Sequence, residues 1–70
     1  MSTTKHILNF IIKEKSQGNV FQEMNIQMKI MMKGINVKGI LEDKISNSPD
    51  LNDRLEKIAN DFEVDLKKMV

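Results

Sequence analysis

Val20-Phe21-Gln22-Glu23-Met24-Asn25-Ile26-Gln27-Met28-Lys29-Ile30-Met31-Met32-Lys33 decides the fold, because it can be read with two periods. Phe21, Met24, Met28, Met31 and Ile35 recur at steps of three and four, the spacing of a helix seam. Within the same stretch, Asn25 to Ile30 alternates polar and apolar, which is the period of a half-buried strand. Composition favours the helix. Met, Gln, Lys and Glu lose little freedom in a helix, and β-branched residues are few. The ending Lys33-Gly34-Ile35 has the form of a helix C-terminus, with Gly able to take the left-handed conformation. A helix over about residues 20–33 follows, and Ile26 and Ile30 then widen its apolar face beyond the seam.

Reading toward the N-terminus, Ser16-Gln17-Gly18-Asn19 is a turn-type cluster that separates this helix from an earlier one. In the earlier one, Ile7, Leu8, Ile11 and Ile12 share a helical face, and Ser2-Thr3-Thr4 offers oxygens that can cap its start. This predicts a first helix over about 4–16. Toward the C-terminus, Asn36 can cap a short third helix over 37–44, with Val37, Ile40 and Leu41 inward. Gly39 inside it costs about 1 kcal/mol relative to Ala.

Ser46-Asn47-Ser48-Pro49-Asp50 is the firmest punctuation in the chain. Ser48 as N-cap, Pro49 at the first helical position and Asp50 in the first turn mark a helix start. From there Leu51, Leu55, Ile58, Phe62, Leu66 and Met69 step by three and four, predicting a fourth helix over 49–68 with a kink or break near Glu63-Val64. Lys67 and Lys68 would suit its C-terminal dipole, and Asp53 and Lys57 form an i, i+4 pair on its solvated face. Short links between helices imply antiparallel neighbours. The expectation is an all-α, single-domain, up-down bundle of four helical segments spanning residues 1–70.

At 70 residues the core is barely sufficient; a chain of roughly 60 residues buries only about 60% of its unfolded surface. Small chains offset this with disulfides, a metal, self-association or very regular helix packing. There is no cysteine, and His6 is the single histidine, so neither disulfides nor a Cys/His metal site is expected. Regular helices and self-association remain. Eleven basic against ten acidic residues leave a net charge of +1, far from the balance of a dedicated nucleic-acid binder. Phe10-Ile11-Ile12 is too short for a signal peptide or membrane span, so a soluble, cytoplasmic protein is the default expectation.

Few residues invite a chemical reading. His6 lies in the first turn of its helix with no partner nearby in sequence for acid–base work. Glu42, Asp43, Asp50, Asp53, Asp61, Glu63 and Asp65 alternate with Lys and Arg as a solvated surface does. No phosphate-binding Gly-rich loop, nucleophile elbow or metalloprotease motif is present. No catalytic residue and no cofactor is therefore expected.

The unusual feature is methionine crowding: Met24, Met28, Met31 and Met32 fall within nine residues. An adaptable side chain repeated on one face can fill a core, or can form a binding surface for a partner or for a second copy. Thioether ligation of Cu(I) by Met28 and Met31 would need helping His or Cys residues that the chain lacks. The interface reading assigns Phe21, Met24, Met28, Met31 and Met32 to the surface, with Ile35 at its edge. It makes the chain a small, non-catalytic protein-interaction or regulatory module that could dimerise through this face.

One alternative is a DNA-binding regulator. A helix, then Gly34-Ile35-Asn36, then a helix carrying Ile40, has the outline of a helix-turn-helix. Leu55-Glu56-Lys57-Ile58-Ala59, continuing through Phe62, Val64 and Leu66, resembles the closing helices of Cro-type DNA-binding domains. The resemblance covers about half the chain and implies that residues 37–44 would read DNA. The chain departs from it at Ile30, where a small residue is usual, and in the Glu42-Asp43 pair on the reading helix, which phosphates would repel.

Overall fold

A computed structural model describes residues 3–69 of the chain. Four helices follow one another: α1 Thr3–Ser16, α2 Val20–Met32, α3 Val37–Leu41 and α4 Pro49–Asp61, with a 3-10 turn at Leu66–Lys68 near the end. No strand occurs among the described residues, so the alternating stretch 25–30 is helical. The fold is a small all-α bundle.

The core forms around α1. Ile7, Leu8, Ile11 and Ile12 are buried along it, with Leu8 and Ile11 wholly enclosed. Helices α2, α3 and α4 and the 3-10 turn all pack on α1. They contribute Ile26 and Ile30 from α2, Val37 and Ile40 from α3, and Leu55, Ile58 and Ala59 from α4. The Cα radius of gyration is 10.9 Å, close to the roughly 11 Å of a compact chain of this length. The core therefore closes within one chain.

Side-chain oxygens cap three helix starts, those of α3 and α4 where the sequence signals them and that of α2 from the end of the turn cluster. Asn19 Oδ1 accepts from the Gln22 N–H at 3.1 Å, Asn36 Oδ1 from Gly39 at 3.0 Å, and Ser48 Oγ from Leu51 at 3.3 Å. These side chains satisfy N–H groups that have no partner inside their own helix. Ser2, expected to help cap α1, lies outside the described residues. Thr4, inside α1, anchors the helix to a distant segment instead of capping it. It is completely buried, and its hydroxyl donates to Asn52 Oδ1 at 2.6 Å while accepting from the Ser48 N–H at 2.9 Å. Its backbone N–H donates to Asn47 Oδ1 at 3.1 Å. The start of α1 is thus tied to the 45–48 loop and the start of α4.

Two helix ends fall earlier than the sequence predicts. The third helix stops at Leu41 and not at Lys44, because Asp43 turns left-handed at φ 60°. The Lys44 and Ile45 N–H groups then both return to the Gly39 carbonyl. The fourth stops at Asp61 and not at Lys68. Glu63 is left-handed at φ 60°, its N–H bonds the Asn60 carbonyl at 3.1 Å, and Val64 bonds back to Ala59 at 2.8 Å. This paired closure, with Val64 buried behind Ala59, is a Schellman ending. Lys67 and Lys68 consequently sit in the 3-10 turn, and the last turn of α4 carries no basic residue. Gly39 also acquires a purpose. A Cβ there would fall 2.7 Å from Asn36 Nδ2 and 2.8 Å from Ile45 Cδ1, so its cost in helix propensity secures close packing.

Candidate protein-interaction surface

Helix α2 carries two apolar stripes, and the bundle uses one. At about 100° per residue, Ile26 and Ile30 point into the core, with half-buried Glu23 and Gln27 along one side of them. Val20, Phe21, Met24, Met28, Met31 and Met32 occupy the opposite side. Among the described residues these are the large hydrophobic side chains that stand exposed, from 47% at Met31 to 78% at Phe21 and 85% at Met32.

Both ends of the helix fix its roll. Asn19 caps the start, with Glu23 in the first turn where the dipole favours an acid. At the far end Gly34 takes φ 92° and the chain leaves the helix. Lys33 reaches across to α4, its Nζ 3.4 Å from Asp61 and 5.9 Å from the centre of the Phe62 ring, within range of a cation–π contact.

Of the six residues assigned to the face from sequence, Phe21, Met24, Met28, Met31 and Met32 come together on it. Ile35 does not. It is 3% exposed and belongs to the core with Val37, because the turn at Gly34 breaks the helical spacing before the face can continue. Val20, at 65% exposed, extends the face at its N-terminal end. The seam of threes and fours beginning at Phe21 is thus the outer stripe, and the inner one is Glu23, Ile26, Gln27 and Ile30. Residue type carries the signal that separates them, since Ile is fully buried more often than Met.

Among the described residues, no large hydrophobic side chain outside this face stands exposed. His6 is exposed on α1. No group of three or more His, Cys, Asp or Glu among the described residues could hold a metal ion. The acidic residues are dispersed, and some of them lie in surface pairs, Lys5–Asp43 at 3.0 Å, Lys44–Glu42 at 3.8 Å and Arg54–Asp50 at 3.7 Å. On α4 the ion pair one turn apart is Asp50–Arg54, in place of the expected Asp53–Lys57. A depression beside the chain's last turn is bordered by Glu14, Lys15, Glu63, Asp65 and Lys68, all exposed. No helix among the described residues is long and apolar enough to cross a membrane. No family model, curated protein or solved structure matches this chain.

Proposed function

We propose that the chain is a non-catalytic protein-interaction module, of the kind that regulates by binding, and that the outward face of α2 is its binding surface. One observation carries this reading: the exposed large hydrophobics of the described chain lie on a single face of a single helix. Scattered apolar side chains need no explanation, but an apolar patch beyond a few hundred Å2 marks a contact surface. Methionine suits such a surface because its unbranched, polarisable side chain adapts to the partner's contour.

The DNA-binding alternative finds less support. Helix α3 has five residues, of which Val37, Gly39 and Ile40 are buried. Of the lysines on and after it, Lys38 stands exposed and Lys44 lies 3.8 Å from Glu42. A reading element needs several side chains free to reach base edges.

Photo-crosslinking in the producing cell tests the proposal. A photoreactive phenylalanine analogue in place of Met28 should give protein adducts, and the same analogue in place of exposed Asp53 should give none. Absence of adducts from position 28, or equal labelling from both positions, would remove the basis for the reading.

A further inference from the structure

We infer that the occupant of the α2 face is α2 of a second copy of this chain, packed antiparallel across a two-fold axis that passes at the height of Ile26. The inference rests on the function proposed above and names the partner. Three features carry it.

The first is the pattern of the exposed residues. Reversing α2 about Ile26 exchanges Val20 with Met32, Phe21 with Met31 and Met24 with Met28, so the set maps onto itself. Ile26 points into the core, so the centre of this pattern lies on the opposite, exposed side of α2. A two-fold axis there brings the Val20–Phe21 end of one copy against the Met31–Met32 end of the other. Met24 and Met28 straddle the axis. An isologous interface needs a patch that complements itself, and here no apolar residue of the face is left over.

The second is the rim. The residues next to Ile26 in sequence, Asn25 and Gln27, lie one on each flank of the face. Both carry neutral amides, which can donate and accept. Each would meet its own copy near the axis, so the axis brings no like charges into contact. Glu23 and Lys29 lie farther out along the helix and farther from the face. Antiparallel pairing also sets the positive N-terminal end of each helix beside the negative C-terminal end of the other.

The third is area. From their fractional exposures, the six side chains offer on the order of 750 Å2, against the roughly 800 Å2 per partner of a standard interface. A dimer on this face would bury most of that area.

Sedimentation equilibrium of the purified full chain, from about 1 μM to about 1 mM, tests the occupant. The mass should rise from 8.1 kDa toward twice that value. The Met28→Glu/Met31→Glu variant should stay monomeric throughout, with unchanged helicity by circular dichroism, since both side chains are exposed. Cysteine trapping tests the direction, and the chain's lack of cysteine makes it unambiguous. Oxidising an equimolar mixture of Phe21→Cys and Met32→Cys chains should give the mixed disulfide, and neither chain alone should cross-link.

A constant mass of 8.1 kDa for the unmodified chain would overturn the second copy as occupant. A disulfide formed by Phe21→Cys chains alone would overturn the antiparallel arrangement. Adducts from position 28 to a different protein, together with a constant mass, would separate failure of this inference from failure of the proposed function.

Discussion

Helices α1 and α2 are nearly the same length, 14 and 13 residues, and both are rich in large apolar side chains, yet the bundle treats them differently. α1 buries Ile7, Leu8, Ile11 and Ile12 and exposes no large hydrophobic. α2 buries Ile26 and Ile30 and leaves six such residues in solvent. For four of the six, the methionines, the difference follows side-chain stiffness. Core positions throughout the described chain are held by Ile, Leu, Val and Ala, whose few rotamers specify one packing. The flexible methionines of α2 are kept outside, where adaptability costs the core nothing. The count of apolar residues in a helix therefore says little about how deeply it sits.

Substitutions along the two helices can break this contrast. The largest effect belongs to Leu8→Ala in α1, which empties a fully enclosed site and should cost about 3–5 kcal/mol. A domain of this size holds only about 4–10 kcal/mol, so urea titration should find a large part of the stability gone. An effect below about 1 kcal/mol would mean that α1 is not the centre of the core.

Thr4→Val comes next, because it strands the Ser48 N–H and Asn52 Oδ1 without the buried hydroxyl that pairs them. A loss of about 1–3 kcal/mol is expected. Thermal melts should show it as a fall in midpoint with the helix content of the folded baseline retained.

Met28→Ala should be the mildest. At concentrations where the chain is monomeric, its stability should stay within about 0.5 kcal/mol of the parent, as exposed positions usually do. A loss resembling that of Leu8→Ala, measured by the same titration, would place Met28 in the core and dissolve the contrast.

Much of the fold was legible where a side chain announces a helix start. Asn36 and Ser48-Pro49 cap as their types predict, Asn19 caps α2 where the sequence reading gives only a turn, and the helix ends near Glu63-Val64, where a kink or break is expected. The ends of α3 and α4 were harder to read. Their left-handed residues are Asp43 and Glu63, types that do not advertise that conformation as Gly does at position 34. Burial of Val64 and the return of Ile45 onto Gly39 decide those ends, and both depend on packing. The Thr4 network joins residues more than forty apart in sequence and leaves no local pattern. On α2 both stripes satisfy the helical period, so periodicity could place the methionines on one face but not say which way it points. Spacing carried across the Gly34 turn puts Ile35 at the edge of the face, whereas the turn sends it into the core.

The arrangement of the methionines also separates two kinds of chemical vulnerability. A chain without cysteine has no thiol to oxidise, but Met24, Met28, Met31 and Met32 hold four thioethers open to solvent. Peroxide converts such a sulfur to the sulfoxide, adding a polar oxygen to an apolar side chain. No methionine lies among the fully buried core residues. Oxidation of these four would therefore alter what the surface of α2 can touch while sparing the fully buried core, and methionine sulfoxide reductases could restore that surface without the chain having to refold.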